Sequence, residues 1–131
     1  MAITLSAATR ALVDGRNYAT LATLNRDGSP HSAVMWIARD GDDLLFSTLR
    51  DRAKERNLRR DPRASVSVWN TADPEVYAEI RGTVTITEDT GRVLANALSH
   101  KYYGGDFPAD APGQVRVVLR LTPTKVTGNA A

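Results

Sequence analysis

From Glu75 to Thr87 the chain alternates with a period of two, and this alternation limits the possible folds more than any other feature. Val76, Ala78, Ile80, Gly82, Val84 and Ile86 fall on one side; Tyr77, Glu79, Arg81, Thr83, Thr85 and Thr87 fall on the other. Successive side chains of a strand point to opposite faces, so the pattern describes a strand with one buried and one wetter face. The same period recurs at 17–24 and 31–38, around Asn25-Arg26-Asp27-Gly28-Ser29-Pro30, whose Asp-Gly pair supplies hairpin chemistry. A second turn over 39–43 leads to a strand at 44–48, and another strand is expected at 63–69. Val115, Val117, Leu119 and Leu121 alternate along a last strand, which Pro123 should break before a short end at 125–127. Connections this tight join antiparallel neighbours rather than parallel ones.

Helices fit only at the margins. Leu5, Ala8 and Leu12 stand at i, i+3 and i+7, the stripe of a short helix that Gly15 ends. Residues 51–60 read as a second helix, with Asp51 as N-cap and Pro62 opposing continuation. A third, over about 88–99, would bury Val93, Leu94, Ala97 and Leu98. The loop from His100 to Gly113 then carries Tyr102, Tyr103 and Phe107. No repeat or linker divides the chain, so one mainly-β domain over 1–131 is expected: about six antiparallel strands forming a small barrel, with peripheral helices.

Composition then narrows the chemistry. The chain has no cysteine, which excludes disulfides, thiolate catalysis and cysteine-ligated metal sites. No apolar run approaches the length that spans a bilayer, and Met1-Ala2-Ile3-Thr4-Leu5 lacks the basic and apolar regions of a secretory leader. The expectation is a cytoplasmic protein. The two histidines, His31 and His100, sit far apart at a strand start and a helix end, and no metal-ligand or nucleophile motif surrounds them. No metal site is expected, and any reaction would be carried by a bound cofactor.

Charge is concentrated in one place. Residues 50–63 hold seven positive and three negative side chains, against a net charge of +2 for the whole chain. Arg52 and Lys54 fall at the start of the expected helix, where cations oppose the helix dipole but an anion would be welcome. Ser47 and Thr48 add hydroxyl donors at the end of the preceding strand. A helix charged simply for solubility, with Asp51 and Glu55 pairing with Arg59, has the same composition. The residues alone leave both readings open. A nucleic-acid contact fits poorly, because aromatic residues do not interleave with the cations and the overall charge is small. Asn57 is unusual inside a helix, and is either exposed or recruited as a specific donor.

The stretch RAKERNLRRDPRASVSV (52–68), preceded by FST and by ATLATLNRDGSPHSAVMWI (19–37), resembles the flavin- and deazaflavin-binding split β-barrel proteins. These form the pyridoxamine 5'-phosphate oxidase-like superfamily, and the likeness is to its branch that uses the deazaflavin coenzyme F420. The resemblance covers about 17–122 and implies a six-stranded, FMN-binding-like split barrel that forms a homodimer with cofactor sites at the interface. By motif position it implies Arg52 and Lys54 as phosphate ligands, Ser47 and Thr48 nearby, and Asn57 in support. Val34, Met35 and Trp36 would line the ring edge, and Trp69 and Tyr77 would meet the cofactor from the partner subunit. The implied reaction is hydride transfer from reduced F420 to an electron-poor double bond of a small organic substrate. The catalytic acid is unassigned, with solvent, Tyr102 or Tyr103 as proton sources, and the aromatic loop could close over substrate. F420 carries an oligoglutamate tail that would occupy Arg59 and Arg60. FMN is the alternative cofactor, and a non-catalytic flavin or F420 carrier is the alternative role.

Overall fold

The computed structural model describes residues 3–131; the leader reading therefore rests partly on Met1 and Ala2, which lie outside the described residues. The chain runs α1 (Ala7–Asp14), β1 (Ala19–Leu24), β2 (Pro30–Met35), β3 (Ala38–Asp40), β4 (Asp43–Leu49), α2 (Ala53–Arg60), β5 (Arg63–Trp69), β6 (Tyr77–Glu88), α3 (Val93–Tyr102) and β7 (Arg116–Thr127). The strands form one antiparallel sheet in the order β2-β1-β5-β6-β7-β4-β3. Its two edges, β2 and β3, are consecutive in the chain and joined through Trp36–Ile37, so the sheet curls into a split barrel without closing.

The mainly-β, antiparallel architecture is the one the alternation implies, with seven strands in place of six. The extra strand arises because the expected strand 31–38 breaks at Trp36–Ile37 into β2 and β3. Tyr102 explains the break: its hydroxyl accepts from the Ile37 N–H (3.2 Å), and the Lys101 ammonium donates to the Ile37 carbonyl (2.6 Å). Those backbone groups are therefore satisfied by α3 instead of by a neighbouring strand.

Inward-facing residues of the curled sheet make one core, with Leu21, Phe46, Val66, Ile80 and Leu119 fully buried, and α1 adding Leu12 and Val13. A smaller apolar cluster lies outside the barrel, where Leu94, Leu98 and Tyr102 of α3 cover Leu45 and Val118 together with Trp36.

Three boundaries depart from expectation. β7 continues past Pro123 to Thr127, because a bulge at Arg81/Gly82 sets Gly82 opposite the proline, where no ladder N–H is available. A Cβ at Gly82 would lie 2.1 Å from the Thr122 carbonyl oxygen, so the close approach requires glycine. The third helix begins at Val93 after a 3-10 turn, and Asp89 caps it by accepting from the N–H groups of Leu94 (3.1 Å) and Ala95 (2.9 Å). Its buried stripe is Leu94, Ala95, Leu98, Ser99 and Tyr102, while Val93 is 71% exposed. Finally, Asp51 is not an N-cap. It takes a left-handed conformation (φ 74°), and Arg52 occupies the cap position without a side-chain cap bond.

Candidate functional site

The second, smaller core leaves a slot along its edge, between the end of β2, the outer face of β4 and β7, and α3. One chamber, about 240 Å³, is walled by Val34, Met35 and Trp36, by Ala95 and Leu98 of α3, and by Phe107. The other, about 220 Å³, is lined by Thr48 and Leu49 and by the cations Arg52 and Lys54. Met35, Ser47, Phe107 and Arg116 belong to both, so the chambers are two halves of one slot. One half is apolar and aromatic, the other cationic with hydroxyls.

Local structure explains the cationic half. β4 ends at Leu49, the chain turns through the left-handed Asp51, and α2 starts with no side chain capping its free N–H groups. The turn is held from below by Glu55, a fully buried carboxylate that accepts from the Asp51 N–H (2.7 Å) and pairs with Arg59 (2.7 Å). Neither the Arg52 guanidinium nor the Lys54 ammonium meets an acidic partner among the described residues. Burial, and then repulsion from Arg52, hold the Lys54 pKa below its ordinary value. Two uncompensated cations beside free helix N–H groups and two hydroxyls form a donor set suited to a phosphate.

The basic segment is not one continuous field. Arg59 is held by Glu55 and Asp51, Arg63 by Asp61, and Arg60 by the Leu24 carbonyl and Asn57. Arg59 and Arg60 thus have internal partners, and their presence no longer distinguishes a ligand with an acidic tail from one without. Arg26, Asp51, Arg56, Asn57, Arg59 and Arg60 line a depression separate from the slot.

The structure brings Val34, Met35, Trp36, Ser47, Thr48, Arg52 and Lys54 to the slot and leaves three expected residues outside it. Asn57 is buried and donates to Thr23 Oγ1 (3.1 Å) and Asn25 Oδ1 (3.0 Å), stapling α2 to the β1–β2 turn. Trp69 and Tyr77 face each other across β5 and β6 and line neither chamber.

Tyr102 belongs to α3 rather than to the loop. Its ring stacks on Trp36 at 5.1 Å and its hydroxyl donates to the Asn17 carbonyl (2.5 Å). Burial raises its pKa, its hydroxyl is engaged by backbone groups on both sides, and it lines neither chamber. Tyr103 is 79% exposed and meets Trp36 edge-on. Leu49, Ala95, Leu98, Phe107 and Arg116 also line the slot and were not among the expected site residues. Of these, Arg116 is paired with Leu49 in the β4–β7 register and is the residue between Val115 and Val117 in the alternation of the last strand. That alternation was its one visible signal.

Residues 5–130 match the family model described as pyridoxamine 5'-phosphate oxidase. A solved structure named F420 reductase is similar at 31% identity, with a TM-score of 0.85 over 94% of this chain and 98% of that one. A conserved hypothetical protein from Mycobacterium tuberculosis shares the fold at 23% identity and TM-score 0.75, covering 95% of this chain and 84% of its own. So does a pyridoxamine 5'-phosphate oxidase-related, FMN binding protein from Nostoc punctiforme, at 20% identity and TM-score 0.63, over 90% and 75% of the two chains.

Proposed function

The chain belongs to the pyridoxamine 5'-phosphate oxidase family, and on that premise we propose that it is an F420-dependent oxidoreductase acting on a small organic substrate. The observation that carries this reading is the pairing of unpartnered Arg52 and Lys54 with an adjoining apolar, aromatic chamber in a single slot. A phosphate-bearing tricyclic cofactor has that division of chemistry. Its phosphate would take Arg52, Lys54 and the hydroxyls of Ser47 and Thr48, and its ring would lie along Val34, Met35 and Trp36.

When bound in reduced form, such a cofactor supplies a hydride to an electron-poor carbon. The chain's own residues bind, orient and exclude water. Among the described residues no histidine or carboxylate lines either chamber, so solvent is the proton source in this reading. F420 is favoured over FMN by the relative of 31% identity named F420 reductase. FMN remains the second reading, supported by the FMN binding relative.

The uncovered outer face of β2, β1, β5 and β6 carries Thr20, Ser65, Ser67, Trp69 and Tyr77. We assign it to a homodimer contact, through which Trp69 and Tyr77 would approach the partner's cofactor. Mixing the protein with reduced F420 and a panel of enones and quinones tests the activity. Cofactor oxidation faster than in buffer supports the enzyme; a rate equal to buffer across the panel leaves only a carrier. A yellow preparation that releases FMN would decide for the second reading.

A further inference from the structure

Arg116 stands where the two chambers of the slot meet. Four residues border both chambers; Met35 and Phe107 are apolar, Ser47 and Arg116 polar. The β4–β7 register sets Arg116 opposite Leu49 and one diagonal step from Ser47, on the face of the sheet that α3 packs against. Its guanidinium is held by one edge and one face. Nε and Nη2 donate to the two oxygens of Asp110 (3.2 and 2.5 Å), and the Phe107 ring lies 4.9 Å away. That leaves Nη1 and its two N–H bonds, whose one partner among the described residues is Ser47 Oγ at 3.5 Å, the limit of a hydrogen bond.

Charge at this point is also incompletely matched. Asp110 meets Arg92 as well, at 3.4 Å, so two cations share one carboxylate and the cluster keeps a net positive charge. The Arg116 side chain is 12% exposed, and a nearly buried guanidinium with an idle edge costs free energy until an acceptor meets that edge. An ion pair serving only to pin the segment after α3 onto β7 uses the Asp110 edge alone. It gives no reason for Nη1 to turn toward Ser47 at the junction.

Resting on the reading of the slot as a site for a phosphate-bearing ring, we propose that Arg116 is a further binding residue, and that it takes the polyol chain joining ring to phosphate. With the ring in one chamber and the phosphate in the other, that chain crosses the junction, and a hydroxyl oxygen there accepts from Nη1. Asp110, by occupying Nε and Nη2, leaves Nη1 for it.

Three 5-deazaflavins separate the parts of such a ligand. 5-Deazalumiflavin is the ring without the chain, 5-deazariboflavin adds the polyol, and 5-deazariboflavin 5'-phosphate adds the phosphate. In calorimetric titration, wild type should bind 5-deazariboflavin more tightly than 5-deazalumiflavin. Arg116→Met should shrink that preference about tenfold, the scale of one hydrogen bond to a charged donor, and leave the gain from the phosphate unchanged. Arg116→Lys keeps a cation for Asp110 should the Met variant fail to fold. Its single ammonium goes to the carboxylate and presents no second edge, so the same loss is expected. Equal weakening of all three ligands would make Arg116 a support for the slot's shape, and a change confined to the phosphate step would place it on the phosphate. Either result overturns the proposal, as does an unchanged polyol step or a wild type that binds none of the three. F420 and Arg52→Ala, run in parallel, keep the two readings apart. If F420 binds wild type and the phosphate step is lost in Arg52→Ala while the polyol step ignores Arg116, the slot reading stands and the polyol contact fails. If the polyol step falls in the Arg116 variants while Arg52→Ala keeps the phosphate step, the contact stands and the phosphate cradle fails.

Discussion

Lys54 and Lys101 are both lysines whose charge is disfavoured by burial, and they differ in what surrounds them. Lys54 stands beside Arg52 with its pKa lowered and no acid to restore it. A phosphate ligand needs the charged form, so affinity should fall with rising alkaline pH sooner than for an ordinary lysine. Lys54→Arg should keep affinity level to higher pH, and superimposable pH profiles for the two proteins would contradict this. Lys101 donates to the carbonyls of Val13 and Ile37, and burial lowers its pKa from 10.5 to about 8, with Asp14 opposing the shift. Between those values the unfolded chain holds more protons than the folded one. Stability should therefore rise as pH climbs from about 8 toward 10.5, and the penalty for the buried charge is fully present below that window. In urea unfolding, Lys101→Met should lose this rise relative to wild type; parallel curves would count against it. At this scale Arg52 and Lys54 stood out by position, and helical spacing already offered Glu55 and Asp51 as the partners that Arg59 meets. The role of Arg116 depends on contacts that only the folded chain makes.

Among the elements, α2 shows how a local surprise supports a site. Asp51 adopts a left-handed turn because Glu55, one helical turn later, reaches back to its N–H. Removing that charge by Glu55→Gln should cost about 1–3 kcal/mol in denaturant unfolding, the range for a buried hydrogen-bonded charge. It should also weaken ligand binding by loosening the turn; full retention of both would mean the turn holds itself. The Gly82 bulge makes a sharper case, since a Cβ there collides with backbone. Gly82→Ala should destabilise by about 3 kcal/mol, as overpacking at a fixed backbone contact does. Strands were legible wherever one face is buried, so β5 agrees to the residue and β6 within two positions. The β2–β3 break was not, because Tyr102 and Lys101 of the distant α3 set it; in α3 the burial of Leu94 and Leu98 was legible, whereas Val93 and Ala97 are exposed and Ala95, Ser99 and Tyr102 are buried in their place.

For the whole molecule, the antiparallel barrel followed from periodicity and short turns, and the slot followed from a helix packing outside the barrel, which no local pattern reveals. The proposed self-association through the outer face of β1, β5 and β6 belongs to this scale. In sedimentation velocity the chain should run at twice its 14.2 kDa mass. Ser67→Arg, placed between Thr20 and Glu79 at the centre of that face, should return it to the single-chain mass. A wild-type monomer would remove the interface from the account.

The central claim is that one slot holds a phosphate at Arg52 and Lys54 and a flat ring beside Trp36. Calorimetric titration of F420, FMN and riboflavin into wild type, Arg52→Ala and Lys54→Ala tests it most directly. Each substitution should weaken the phosphate-bearing ligands by about 1–3 kcal/mol, as for charge-assisted hydrogen bonds, and leave riboflavin binding unchanged. Unaltered affinity for F420 and FMN in both variants would place the phosphate elsewhere and contradict the account.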